Sequence, residues 1–146
     1  MLLTSKQSRI TMTAMAMQDD VGSHKCRVLV VDDEPLLADT LVQILNLFGY
    51  KASVAYNPTQ ALEFVRTHGP YEVVISDVVM RGHMSGIDLA IRLKSVLPTC
   101  KVLLMSGNNS TADLIKAAEQ QGHTIEVLAK PVHPNDVLDR LKEMLA

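Results

Sequence analysis

The regular alternation of short aliphatic runs with longer segments of helical spacing is the feature that most constrains the fold of this chain. The apolar runs cover residues 28–31, 52–55, 73–75, 102–105 and 125–129. Most of them are unbroken blocks of branched side chains, a pattern typical of parallel strands that are buried on both faces. A helical segment follows each run. Five strands that alternate with five helices predict a doubly wound α/β sandwich built on a five-stranded parallel sheet.

Prolines, glycines and capping residues mark the ends of the predicted helices. Pro35 opens the first helix and Gly49 ends it, Asn57 caps the second, and Ser110 precedes the fourth. The predicted inward face of the first helix carries Leu37, Leu41, Ile44, Leu45 and Phe48, and that of the last helix carries Val137, Leu138, Leu141 and Leu145. The run at 52–55 is the least apolar, and it is predicted to form an edge strand.

The composition favours a single domain and excludes some classes of function. A chain of 146 residues, of which 47% are hydrophobic, can bury one core. A formal net charge of -2 with interspersed acids and bases argues against nucleic-acid binding by this chain alone, and no apolar run is long enough to span a membrane. Cys26 and Cys100 are interpreted as reduced, partly buried thiols of a cytoplasmic protein. Residues 1–25 show no sustained period and predict a disordered tail or a weak helix, ahead of a domain over residues 26–146.

The polar residues that follow the apolar runs are the strongest indication of function. Asp32 and Asp33 follow the first run, Asp77 follows the third, Ser106 follows the fourth and Lys130 follows the fifth. In an open parallel sheet the carboxyl ends of the strands share one edge, and ligands bind there. Each of these residues alone has an ordinary interpretation, as a helix-start acid, a turn residue or a surface lysine. Together they predict a site with two or three carboxylates, a hydroxyl and an ammonium.

The chemistry of such a site favours phosphoryl transfer. Clustered carboxylates resist full ionisation unless a cation neutralises them. Mg²⁺ prefers oxygen ligands, and it can bridge a carboxylate and an incoming phosphoryl group. Asp77 would then be the nucleophile that forms an acyl phosphate. Lys130 would pair with the phosphoryl oxygens, and Ser106 would donate a hydrogen bond to another of them.

The motifs around these residues resemble those of the response-regulator receiver family, over about residues 27–146. The matching motifs are Val30-Val31-Asp32-Asp33-Glu34-Pro35, Ile75-Ser76-Asp77-Val78-Val79-Met80, Gly86-Ile87-Asp88-Leu89, Leu104-Met105-Ser106-Gly107 and Ala129-Lys130-Pro131-Val132. The resemblance implies a flavodoxin-like sheet with strand order 2-1-3-4-5. It implies Mg²⁺ binding by Asp33, Asp77 and the backbone carbonyl of Val79, with Asp32 acting largely through water. It also implies a cis bond between Lys130 and Pro131.

The resemblance further implies how such a chain signals. The phosphoryl donor would be a histidine kinase or a histidine phosphotransfer protein, and the chain would be a single-domain receiver. It would act as a signalling phosphoacceptor and not as an enzyme, catalysing only its own Mg²⁺-dependent phosphorylation and slow dephosphorylation. Phosphorylation would change the binding of a downstream protein that the sequence does not name. Contacts with nucleic acid or membranes are not expected.

Three positions depart from the family pattern. The loop after Asp77 lacks the proline that usually follows Met80, and it is one residue longer than the common form. Val127 occupies a position where the family often has Tyr or Phe, and a stiff β-branched side chain cannot make the rotation that such a ring makes. We therefore expect a muted or rerouted switch. Val79, two residues after Asp77, cannot orient a hydrolytic water, which predicts a long-lived phosphorylated form.

Three alternatives to a phosphorylated receiver require different residues at these positions. A hydrolase of the haloacid-dehalogenase type would need a second carboxylate two residues after Asp77, where the chain has Val79. A flavodoxin-like cofactor binder would need a phosphate-cradling loop after the first strand, where the chain has acids. A degenerate receiver that acts as a phosphorylation-independent docking module is the main alternative. The complete set of polar residues at the strand ends argues against it.

Overall fold

The computed structural model describes residues 24–107 and 110–146, which form a three-layer α/β sandwich. The strands of this part of the chain are β1 (Arg27–Val31), β2 (Lys51–Ala55), β3 (Val73–Asp77), β4 (Lys101–Ser106) and β5 (Glu126–Ala129). Its helices are α1 (Pro35–Leu47), α2 (Pro58–His68), α3 (Gly86–Val96), α4 (Ser110–Gln120) and α5 (Pro134–Leu145). The strands pair in parallel in the order β2-β1-β3-β4-β5. The predicted fold class and strand order are therefore confirmed, and β2 lies at an edge as expected.

The unbroken aliphatic runs are explained by helices that cover both faces of the sheet. Along β1, Val28 and Val30 pack with α1 and α5, whereas Leu29 and Val31 pack with α2 and α3 on the opposite face. All four of these side chains are fully buried. Because successive strand residues point to opposite faces, a strand covered on both sides needs an apolar residue at every position.

Local capping fixes where several helices begin. Asn57 accepts a hydrogen bond from the backbone N–H of Gln60 at 2.7 Å, as the predicted cap requires. Ser85 and Asp88 form a reciprocal capping box at the start of α3. These caps place the first turns of α2 and α3 next to the carboxyl ends of the strands, the edge at which the polar residues were predicted to meet.

The predicted inward face of α1 is partly wrong. Leu45 is buried, and Leu41 and Ile44 pack against the core, but Leu37 and Phe48 are 52% and 63% exposed. The buried side of α1 is centred on Ala38 and Leu45, which lie seven residues apart and so nearly share a direction. Leu37 and Phe48 lie on the flank of that side. In α5 the expected inward residues Val137, Leu138 and Leu141 are buried, and Leu145 packs against the same cluster.

Two sequence predictions concern the ends and connections of the domain. The peptide bond between Lys130 and Pro131 is cis, as the resemblance implied. Of the predicted tail over residues 1–25, residues 1–23 lie outside the described residues, so the tail and its boundary with the domain over 26–146 stay predictions. Within the described part, His24 Nε2 lies 2.9 Å from Glu72 Oε1.

Candidate functional site

The predicted site residues meet at the carboxyl edge of the sheet. Asp32 and Asp33 follow β1, and Asp77 is the last residue of the neighbouring β3. One carboxylate oxygen from each of these three residues lies within 4.8 Å of the others. Ser106 is the last residue of β4, and Lys130 directly follows β5. The parallel sheet thus brings together residues that are up to 98 positions apart, Asp32 and Lys130 being the extremes.

Asp77 is the most enclosed carboxylate with a direct ionic partner. It is 6% exposed, and Lys130 Nζ lies 2.5 Å from its Oδ1. Burial raises the pKa of Asp77 above its ordinary value, and it outweighs the lowering that the hydrogen bond and the charge of Lys130 cause. Burial therefore penalises the negative charge of this carboxylate, which favours the approach of a cation.

The chain behind Asp77 leaves no room for a side chain on Gly86. A Cβ atom added to Gly86 would lie 2.0 Å from the Asp77 carbonyl oxygen. The Gly86 N–H donates to the Val78 carbonyl at 2.8 Å, so the first residue of α3 packs directly on the end of β3. Glycine at this position lets α3 support the backbone that carries Asp77.

Asp32 is a buried carboxylate whose position is set by the turn into α1. Its Oδ1 accepts a hydrogen bond from the Glu34 N–H at 2.9 Å, and its own N–H donates to the Ala55 carbonyl at 3.2 Å. Burial raises the pKa of Asp32, partly offset by the hydrogen bond from Glu34, while the nearby charge of Asp77 raises it further. The side chain thus adds a second penalised negative charge to the same edge.

Asp33 is held by Arg81, a residue to which the sequence analysis gave no role. The Arg81 N–H and Nε both donate to Asp33 Oδ2, at 2.9 and 3.1 Å, and Nη2 donates to the Asp33 carbonyl at 2.9 Å. The sequence signal for this contact was that Arg81 follows Met80, at the position where the family usually has proline. The structure also places His83, in the same loop, at the exposed surface.

Ser106 also has a partner that the sequence analysis missed. Its hydroxyl shares a hydrogen bond with the hydroxyl of Thr111, which lies in the first turn of α4 and is 1% exposed. The Lys130 N–H donates to the Ser106 carbonyl at 2.8 Å, so the two strand ends are tied together. The signal for Thr111 was a hydroxyl residue at a helix start, which is common for other reasons.

The two valines that depart from the family pattern lie in different environments. The side chain of Val79 is 58% exposed in the loop between β3 and α3. Val127 in β5 is partly buried and packs against a cluster formed by Val78, Ile87, Leu104 and Ala118. Its carbonyl accepts a hydrogen bond from Arg140 Nη1 at 3.3 Å. Val79 thus presents an apolar side chain to solvent two residues after Asp77, and Val127 is a small packed residue at the position expected for a mobile ring.

The donor set at this edge fits a hard divalent cation. Three carboxylates offer oxygen ligands within 4.8 Å of one another, and two of them carry a raised pKa because they are buried. Oxygen donors of this kind are those that Mg²⁺ and Ca²⁺ prefer, whereas zinc sites use nitrogen and sulfur more often. The cluster of Asp32, Asp33 and Asp77 is compatible with Mg²⁺ binding.

Comparison with known proteins agrees with the geometry of the edge. The family model described as the response regulator receiver domain matches residues 28–142. The chain therefore belongs to the receiver domains of two-component response regulators. The match covers all of the described strands and helices except the ends of β1 and α5.

Individual relatives point in the same direction. The chain is 33% identical over 118 residues to a probable transcriptional regulatory protein, TcrX, of Mycobacterium tuberculosis, covering 81% of this chain and 49% of the relative. It is 31% identical over 121 residues to the DNA-binding response regulator MtrA of Mycolicibacterium smegmatis, covering 82% and 50%. The chain thus spans about half the length of these curated relatives.

A solved structure shares the fold closely. The CheY-like response regulator receiver domain protein of Methanospirillum hungatei superposes with a TM-score of 0.73 at 25% identity, covering 84% of this chain and 94% of that one. Within the described ranges, none of the helices combines the length and apolar character needed to cross a bilayer.

Proposed function

We propose that Asp77 is the phosphoacceptor of a two-component phosphorelay. The observation that carries this proposal is the position of its carboxylate, which is buried beside two other carboxylates and 2.5 Å from the Lys130 ammonium. An Asp77 oxygen attacks the phosphorus of a phosphohistidine, the P–N bond breaks as the P–O bond forms, and the departing imidazole takes up a proton. The product is an acyl phosphate on Asp77.

The neighbouring polar groups have separate roles in this proposal. Lys130 leaves the Asp77 oxygen as the acyl phosphate forms, and its ammonium then pairs with a phosphoryl oxygen. Ser106 donates its hydroxyl hydrogen to another phosphoryl oxygen. Both groups stabilise charge that builds up on the transferred group, the main task of a protein in phosphoryl transfer.

The proposed cofactor is Mg²⁺. Asp33, Asp77 and the backbone carbonyl of Val79 would hold it directly, and Asp32 would act largely through water. When bound, the cation would neutralise negative charge on the phosphoryl oxygens. The support for this assignment is the three-carboxylate cluster, in which the burial of Asp32 and Asp77 already disfavours their negative charge.

The proposed donor is a histidine kinase or a histidine phosphotransfer protein. An apolar groove beside the site supports this, because it is lined by residues of α1 and of the loop that follows β5, including Leu36 and Leu37, together with Asp32 and Lys130. Leu36 and Leu37 are 78% and 52% exposed, so the groove has apolar side chains that a docked partner would cover. A protein that docked here would bring its phosphohistidine to the carboxyl edge.

The proposed output is a change in binding to a downstream protein. Phosphorylation replaces the single negative charge of the Asp77 carboxylate with nearly two on the phosphoryl group, and loops at such an edge respond to added charge. We propose that this chain contacts neither nucleic acid nor membranes. A cytoplasmic location is supported by Cys26 and Cys100, both of which are free and partly buried thiols.

A small phosphodonor tests the proposal against a degenerate docking module. Acetyl phosphate with Mg²⁺ should add one phosphoryl group to the intact chain, as measured by mass spectrometry, and Asp77→Asn should abolish the addition. Asp139→Asn removes an exposed carboxylate on α5 and serves as the matched control. A chain that binds its partners but never gains a phosphoryl group would be a docking module instead.

A further inference from the structure

Arg81 binds Asp33, one of the clustered carboxylates, through both its backbone N–H and its guanidinium group. Its N–H and its Nε occupy the same oxygen of Asp33, and its Nη2 binds the Asp33 carbonyl. A carboxylate oxygen has two lone pairs, so both lone pairs of Oδ2 are used. These contacts hold the pKa of Asp33 below its ordinary value, with the Arg81 N–H as the larger cause.

The loop places Arg81 in this position. Met80, the residue before it, is only 8% exposed and packs in the core beside β1 and α3. Gly82, the residue after it, has a φ of +106°, a conformation that side chains strain to adopt. A buried anchor and a left-handed turn therefore present Arg81 to Asp33. This loop is the one that lacks the expected proline.

The two cations of the site differ in how firmly they are held. Lys130 is paired with Asp77 and its side chain is 32% exposed, whereas the Arg81 side chain is 82% exposed. An exposed ion pair is worth little, because water and salt screen it and its side chains lose entropy. Of the two, Arg81 is the cation that an incoming metal ion displaces more easily.

We propose that Arg81 is a positioning residue that competes with the divalent cation for Asp33 and thereby sets the metal affinity of the site. This inference rests on the proposed function, in which Asp33 is a metal ligand. A cation that binds Asp33 takes Oδ2 from the Arg81 side chain. The loop that carries Val79 then loses a link to the turn that follows β1.

Calorimetric titration of the full chain with Mg²⁺ tests the proposal. Arg81→Ala should bind Mg²⁺ about two- to fivefold more tightly than the wild type, the range expected for loss of one exposed ion pair. Arg66→Ala is the matched control, because Arg66 forms an exposed ion pair with Glu63 within α2, away from the carboxyl edge. The control should bind Mg²⁺ as the wild type does.

Arg81→Lys distinguishes the specific hydrogen bonds from the guanidinium to Asp33 from a general effect of positive charge. Lysine keeps the positive charge but lacks the planar fork that binds the Asp33 side chain and carbonyl together. It should gain affinity almost as Arg81→Ala does. If Arg81→Lys stays at the wild-type affinity, or if Arg66→Ala gains as much as Arg81→Ala, net charge explains the effect and the competition is refuted.

Amide hydrogen exchange gives a second readout that does not depend on phosphorylation. The Arg81 N–H should be protected in the metal-free wild type and should exchange faster when Mg²⁺ is added. If Mg²⁺ binds equally to the wild type and to Arg81→Ala, the competition fails while the proposed function stands. If Mg²⁺ binds to none of the variants, the Mg²⁺-dependent function fails as well.

Discussion

The ammonium of Lys130 reaches across β4 to lie 2.5 Å from the carboxylate of Asp77 at the end of β3. The Lys130 N–H is bonded to the Ser106 carbonyl, so the backbone that carries the lysine is fixed to the intervening strand. Asp77 keeps a raised pKa in spite of this pair, because its burial weighs more than the attraction. The pair with Lys130 therefore reduces the free-energy penalty of the buried Asp77 charge without removing it.

Lys130→Met should slow the phosphorylation of Asp77. The variant removes the ammonium that is proposed to stabilise the transferred group, and the rate of phosphorylation by acetyl phosphate should fall about a hundredfold, as for loss of one aligned donor. A time course by mass spectrometry measures the rate. Lys142→Met, on the exposed side of α5, should keep the wild-type rate. An unchanged rate in Lys130→Met would remove Lys130 from the proposed mechanism.

Thr111→Val should shift the phosphorylation equilibrium towards the phosphorylated form. If the Ser106 hydroxyl donates to Thr111, its hydrogen must leave Thr111 to reach a phosphoryl oxygen, and a hydrogen bond of this kind is worth about 1 kcal/mol. The phosphorylated fraction at limiting acetyl phosphate should rise by up to about fivefold. Thr99→Val, at an exposed position before β4, is the control. A fall in the fraction would mean that Thr111 supports the phosphorylated state instead.

Glu72→Gln should destabilise the domain in a pH-dependent way. Glu72 accepts hydrogen bonds from the Arg27 N–H and from His24, and these lower its pKa from the ordinary 4.5, the Arg27 bond most. A lowered folded pKa means that the charged form stabilises the fold above the unfolded pKa, and this contribution is lost as the pH falls through the folded pKa.

Denaturation by urea at several pH values measures this effect. Because the Glu72 side chain is 41% exposed, the loss at neutral pH should be modest, about 0.5 kcal/mol. The difference between Glu72→Gln and the wild type should vanish in acid, where the wild-type side chain is protonated. Glu119→Gln, an exposed site on α4, serves for comparison. A difference that persists in acid would indicate lost packing and not lost charge.

The framework of the fold could be predicted because it depends on patterns of whole segments. Burial on both faces forces unbroken aliphatic runs such as 28–31, and the shared edge of a parallel sheet follows from that reading. The sequence alone therefore predicts that Asp32, Asp33 and Asp77 lie close together. The strand order came from the family resemblance, and the structure confirms it.

The contacts that refine the site could not be read from the sequence. The hydrogen bonds between Arg81 and Asp33 depend on the buried Met80 and on a left-handed turn at Gly82, and a loop of this kind has no periodic signal in the sequence. The Ser106–Thr111 hydrogen bond depends on where the first turn of α4 lands. The exposure of Leu37 depends on how α1 is rotated about its own axis, to which a count of apolar residues is insensitive.

Val127 should limit how far phosphorylation reshapes the face formed by α4, β5 and α5. Its side chain is small and packed against Leu104 and Ala118, so it has no ring to move when Ser106 turns towards the phosphoryl group. Amide exchange with and without a beryllium fluoride phosphoryl mimic should show small changes there. A large change centred on Val127 and on the helix that begins at Ser110 would count against this expectation.

Val79→Asn should shorten the life of the phosphorylated form. The Val79 side chain is 58% exposed two residues after Asp77, and an apolar group there cannot hold the water that hydrolyses the acyl phosphate. An amide can donate and accept hydrogen bonds, and a positioned water should raise the rate of phosphate loss by about tenfold, below the usual range for a positioned acid or base. The decay of phosphorylated chain after removal of acetyl phosphate measures this rate.

Val96→Asn makes the same change at a 60% exposed position at the end of α3, and its phosphorylated form should decay as that of the wild type does. Equal decay of Val79→Asn and the wild type would mean that hydrolysis is limited elsewhere, with the Lys130–Asp77 pair as the next place to look.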